Sequence, residues 1–164
     1  MTSERLASHR ERCRLSTSRS SLRTLGRVTG PLVVVDTSEI REGRLEDLRA
    51  AVAEMASFVR EHEPDPISYQ VFFSADERRM TVVQIHPDAA SMERHMDVAR
   101  EVFAPFAELL DLRTVDVYGE PSAKILDQLR RKAQMLGTAT VEVHNLQAGF
   151  ARIEVSAEVA APKL

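Results

Sequence analysis

The sequence predicts an α+β fold, a ferredoxin-like βαββαβ sandwich carrying a C-terminal helix-strand extension. Between Pro31 and Tyr118, β-branched segments and amphipathic stripes follow in the order strand, helix, strand, strand, helix, strand, which is the split βαβ arrangement. The two middle strands are separated only by the polar turn SADERR, close enough to form an antiparallel hairpin. The strands also carry apolar residues on both faces, such as Val33 and Val35 against Val34, or Val83 and Ile85 against Val82. One sheet face therefore needs a cover beyond the two helices, supplied by the C-terminal segment or, most simply, by a second copy of the chain.

The elements follow in order. LVVVDTSEI (32–40) is continuous and β-branched enough for a strand with apolar contacts on both faces. From Arg44 to Glu63, Leu45, Leu48, Val52, Met55 and Val59 recur at spacings of three and four, one stripe of an amphipathic helix, while Glu54 and Glu61 fall on its solvated face. Pro64 and Pro66 end that helix and force extended chain into the next strand. Residues 67–73 and 80–86 form the hairpin. If Ser74 pairs with Arg79, Tyr69 lies opposite Gln84, with His86 a diagonal neighbour; a one-residue slip would separate them. Pro87 closes the strand, and Asp88 is placed to cap a helix starting at Ala89. On this helix Met92, Met96, Ala99 and Phe103 define the buried stripe, and His95 borders it, facing inward. Pro105 breaks the helix before a short one through Leu110. A fourth strand at 112–118, a helix at 123–136 stopped by Gly137 as its cap, a strand at 138–144 and a further one at 150–155 complete the chain, which ends in the frayed-looking AEVAAPKL.

Composition bounds the function. Hydrophobic residues at 43% and charged residues at 29% of 164 describe an ordinary soluble globular chain, and no apolar run approaches the ~18 residues of a membrane span. A single cysteine, Cys13, precludes an intramolecular disulfide and any multi-cysteine metal site. Residues 1–30 hold seven arginines against two glutamates, +5, leaving −8 of the net −3 to the remainder. An acidic body gives no reason to expect nucleic-acid binding. The basic, serine-rich start is expected to be a disordered extension, with an organelle transit peptide as the second reading. It lacks the apolar core of a secretory signal, so a cytoplasmic location is expected. The expected organisation is an extension over 1–30, a ferredoxin-like domain over 31–120, and a helix-plus-strand addition over 121–164.

The run EIREGRLEDLRAAVAEMASFVREHEPDPISYQVFFSADERRMTVVQIHPDAASMERHMDVA, followed by VYGEPS, resembles the antibiotic biosynthesis monooxygenase family of the dimeric α/β-barrel superfamily. The resemblance covers 31–122 and lies in the order of features: an acidic helix, Glu-Pro before the second strand, a polar hairpin, and a helix with a histidine at its middle. It implies a ligand cleft between helices and sheet in each protomer, a barrel closed by two sheets across a homodimer, and either cofactor-independent oxygenation of a quinol or phenol-like aromatic or a non-catalytic module binding a small apolar ligand or partner.

His95 matches the family's helix-two histidine. As a general base it could take a phenolic proton, since imidazole titrates near neutrality; alternatively it is a core-edge histidine bonded to a backbone carbonyl. Tyr69 joins it as a catalytic candidate, and Gln84 as a contact for a ligand oxygen, against ordinary cross-strand packing. His86 reads first as a solvent-exposed turn histidine and second as a ligand contact. Phe72, Met92, Met96, Phe103 and Phe106 would line an apolar pocket or simply fill core. His144 reads as a surface residue without a partner. No third ligand joins His86 and His95, so no metal is expected. The chain has no tryptophan, on which haem-degrading relatives rely, and no cofactor is expected.

Overall fold

The computed structural model describes residues 30–100 and 102–151. The basic extension lies outside them, apart from Gly30, as does most of the strand expected at 150–155; Phe150 and Ala151 are not in a strand. The elements are β1 (Leu32–Ile40), α1 (Leu45–His62), β2 (Ser68–Phe73), β3 (Arg79–His86), α2 (Ala89–Ala99), a 3-10 helix (Ala104–Glu108), β4 (Leu110–Tyr118), α3 (Ala123–Leu136) and β5 (Gly137–His144). They form one five-stranded sheet in the order β2-β3-β1-β4-β5, antiparallel except for the parallel β4–β5 pair. The first four strands are the ferredoxin-like sheet.

The alternation of side chains settles which face is which. Leu32, Val34, Asp36 and Ser38 of β1 are buried, as are Met80, Val82, Gln84 and His86 of β3, with Leu110, Leu112, Val115 and Val117 of β4. Against this inner face pack Leu48, Met55 and Val59 of α1, Met92 and Met96 of α2, and Ile125 and Leu129 of α3. Asp88 caps α2, its carboxylate accepting from Ser91 N–H at 2.8 Å, and Ser122 caps α3 in the same way. The α3 helix thus joins the layer of α1 and α2, and β5 lengthens the sheet. Among the described residues, the C-terminal segment does not cover the opposite face, where Val33, Val35, Val83 and Ile85 stay half-buried and Phe72 is 50% exposed.

Gly137 stops α3, as its place in the sequence predicts, but it is no left-handed cap. Its backbone is extended and it is already the first residue of β5. What requires glycine is proximity: a Cβ there would sit 2.6 Å from the Leu112 carbonyl oxygen and 2.7 Å from its nitrogen. Both are β4 backbone, which cannot move aside without breaking the ladder. Gly137→Ala is expected to destabilise the protein by about 1–3 kcal/mol, the usual range for overpacking, measured by urea denaturation.

A buried histidine–carboxylate pair and a polar cleft

The hairpin register is the one that gathers the candidates: Ser74 N–H donates to Arg79 C=O at 2.9 Å, and Tyr69 stands directly opposite Gln84. Tyr69, Gln84 and His86 all lie on the inner face of the sheet. His95, fully buried on α2, turns Nδ1 toward Glu63 Oε2 at 2.8 Å, and the Glu63 side chain is itself only 5% exposed. The bond goes to a carboxylate, not to the backbone carbonyl considered above. A carboxylate can only accept, so Nδ1 carries a proton and Nε2 is the ring nitrogen left to act as a base. That Nε2 is buried and has no hydrogen-bond partner, as is Glu63 Oε1. Around the imidazole stand the rings of His86 at 5.4 Å, Tyr69 at 5.9 Å and Phe103 at 6.2 Å.

His86 is not a solvent-exposed turn residue. It is fully buried, because the last residue of β3 keeps the inward alternation that began at Met80 and α2 folds back over it. Its Nδ1 lies 2.9 Å from Ser91 Oγ and its Nε2 3.4 Å from Gln84 Oε1, a network satisfied by a neutral ring accepting from the hydroxyl and donating to the amide oxygen. Burial first, and then the neighbouring His95, push His86 down from 6.5 to about 4. Between these values the unfolded chain binds a proton that the folded one refuses. Stability is therefore complete above pH 6.5 and falls by up to about 3 kcal/mol as pH drops toward 4. Denaturant titrations at pH 7.5 and 4.5 check this: His86→Gln should show the smaller difference between the two. The Tyr69 hydroxyl is shifted in the opposite direction, raised by burial and then by Asp36 and Glu63, so it remains a neutral donor.

A narrow cleft with about 40 Å³ of free volume lies between sheet and helices. Its apolar walls include Phe103, Phe106, Met55 and Leu112, and its polar walls are Tyr69, Gln84, Ser38, Asp36 and Lys132. His95 does not line it but stands behind Tyr69 and Phe103. Met92 and Met96 are buried core outside the cleft, and Phe72 points to the opposite sheet face, since its odd position in β2 alternates away from Tyr69. There Phe72 borders a shallow depression of about 310 Å³ with Thr37, Ser74, Arg79 and Thr81. That depression has no group able to act as a base at neutral pH, so the narrow cleft is the candidate site.

Two polar features escape the sequence reading. Glu63 ends α1, where a carboxylate opposes the helix dipole; that misplacement is the signal that it answers to something else. Asp36 and Lys132 form a buried ion pair joining β1 to α3. His144, too, has partners: it stacks on Tyr118 at 4.5 Å and bonds to Asp116 at 2.9 Å on the outer face. With Glu142 these groups bring three potential metal-ligand atoms within 4.8 Å of one another, remote from the cleft.

A family model described as antibiotic biosynthesis monooxygenase matches residues 31–100. Among solved structures, MupZ from Pseudomonas fluorescens is 21% identical with a TM-score of 0.60, covering 78% of this chain and 99% of its own. A conserved protein of unknown function from Bacteroides thetaiotaomicron is 15% identical with a TM-score of 0.51, over 56% of this chain and 99% of its own. Protein SO0527 from Shewanella oneidensis is 30% identical over 56% of this chain and 92% of its own, with a TM-score of 0.49. No curated protein matches. Fold and family agree with the element order read from the sequence. Residues 31–100 of the chain form a domain that matches the antibiotic biosynthesis monooxygenase family.

Proposed function

We propose that the protein is a cofactor-independent monooxygenase acting on a quinol or phenol-like aromatic. The observation that carries this reading is the Glu63–His95 pair, a buried imidazole oriented by a carboxylate with its basic nitrogen unpartnered. This nitrogen stands behind Tyr69 and Phe103; once Phe103 gives way to admit the ring it can accept a phenolic proton, and Glu63 offsets the imidazolium that results. The phenolate carbon then bonds to dioxygen, giving a peroxide. Loss of the ring C–H proton with O–O cleavage leaves a quinone, and the second oxygen departs as water with the proton held on His95. Tyr69 and Gln84 hold the substrate oxygen, and the apolar walls exclude water so that the anion reduces oxygen and is not simply reprotonated.

The free volume of about 40 Å³ is well below the ~300 Å³ of an ordinary ligand pocket, so an aromatic ring enters only if the cleft widens. This smallness favours a second reading, a non-catalytic module. Oxygen uptake with a panel of dihydroxynaphthalenes separates the two: uptake by the wild type supports the enzyme, and none across the panel leaves the module.

In either reading the bare sheet face is covered by a second copy. Its half-buried valines and exposed Phe72 are the pattern of a self-complementary two-fold interface. Sedimentation at ~10 µM should give a dimer, following the usual strength of such interfaces, and Val83→Asp should give a monomer. A wild-type monomer would count against the assembly.

A further inference from the structure

Asp36 and Lys132 belong to different parts of the chain. Asp36 faces inward from β1 within the family-matched segment, and Lys132 reaches it from α3, beyond residue 100. Their side chains are 3% and 6% exposed, and both stand in the wall of the cleft. Lys132 Nζ donates to Asp36 Oδ2 and lies 4.8 Å from the centre of the Phe103 ring. Asp36 Oδ1, equally buried, has no partner.

A pair serving stability alone would have its lone pairs and protons satisfied, because a buried polar group left without a hydrogen bond is costly. Here one carboxylate oxygen is left open in a cleft. An ammonium carries three donors, of which Asp36 Oδ2 takes one, so Lys132 keeps donor capacity beside that open acceptor. The pair is neutral as a unit: an anionic ligand meets Asp36 and a cationic one meets Lys132. What it distinguishes is a pattern of hydrogen bonding. We propose that Asp36 and Lys132 form the polar anchor of the cleft, taking a neutral ligand that offers a hydroxyl to Asp36 Oδ1 beside an acceptor oxygen for the Lys132 ammonium. The added helix α3 thereby supplies a ligand-binding residue to the family core. The free volume of about 40 Å³, close to the ~30 Å³ share of one water, suits such oxygens. The attached ring requires Phe103 and Phe106 to give way, and they sit on a turn and a 3-10 helix, the least firmly hydrogen-bonded cover of the sheet. This inference rests on the cleft being a ligand site, and not on turnover.

The test is calorimetric binding under argon of 1,2-dihydroxynaphthalene, 1-naphthol and naphthalene. The wild type should bind the vicinal diol at least ~10-fold tighter than 1-naphthol, a ratio equal to ~1.4 kcal/mol. The double variant Asp36→Leu/Lys132→Met, in which apolar side chains replace both charges and the fold is retained, should melt close to or above the wild type and lose that preference. Asp36→Asn, whose amide N–H replaces the open acceptor, should shift preference toward acenaphthenequinone, a vicinal diketone with no hydroxyl to donate. Equal binding of diol and naphthol by the wild type, binding of none of the three, or a preference that survives in both variants would overturn the proposal; a lone buried water at Asp36 is then the occupant. Selective binding without oxygen uptake supports the anchor and removes only the monooxygenase reading.

Discussion

His95→Ala is expected to lower the rate of the proposed oxygenation by roughly 10²–10⁴-fold, the usual contribution of a positioned general base. The fold should survive, because the change removes a side chain whose Nε2 makes no bond in the structure. Its loss does strand the Glu63 carboxylate, however, so a melting curve must accompany the rate. Glu63→Gln is the informative companion. The amide oxygen still accepts from Nδ1, so the ring stays oriented, but the charge that balances the imidazolium is gone; the rate should fall by less than in His95→Ala. Oxygen consumption by the two variants and the wild type, on whichever dihydroxynaphthalene the wild type turns over, checks the order. An unchanged rate in His95→Ala would remove the base from the mechanism.

Lys132→Met should destabilise the protein by about 3–5 kcal/mol, the cost of stranding one member of a buried ion pair. Against a total of 5–15 kcal/mol for a typical domain, that is a large share. Replacing both residues, Asp36→Leu with Lys132→Met, should bring stability back to within ~1 kcal/mol of the wild type or above it, because no charge is then left buried without its partner. Urea titrations of the single and double variants measure this directly. A single variant costing under ~1 kcal/mol would mean that water reaches the pair freely.

The sequence made the fold legible because each element had a physical marker of its own. The three-and-four spacing from Leu45 to Val59, Pro64 and Pro66 at the end of α1, Asp88 before α2 and Gly137 after α3 each predict a boundary that the structure repeats within a residue or two. The hairpin register was open in the sequence, conditional on Ser74 pairing with Arg79; the structure makes that pair and brings Tyr69 opposite Gln84. The site was harder, because its parts are joined by tertiary contacts. Glu63 and His95 are 32 residues apart and Asp36 and Lys132 are 96 apart; no spacing rule connects such pairs. Even so, strand alternation puts Asp36 on the side of Val34, and the i+3 step from Leu129 puts Lys132 in the α3 stripe. Two opposite charges at inward positions are a signal that can be sought in a sequence. His86 was misplaced for a different reason. A histidine followed by proline has the composition of a turn, whereas its burial depends on α2 folding back over the end of β3.

The junction between α3 and β5 has no spare chain: Leu136 closes the helix and Gly137 opens the strand. With no slack to absorb a displacement, the seating of β5 on β4 fixes how deeply α3 is drawn across the sheet, and Lys132 lies little more than one turn before that seam. The edge strand therefore acts as a depth stop for the lysine. Insertion of a single residue after Gly137 would leave the fold recognisable yet withdraw or over-drive the ammonium relative to Asp36, so the length of this junction is as much a part of the cleft's chemistry as the residues that line it.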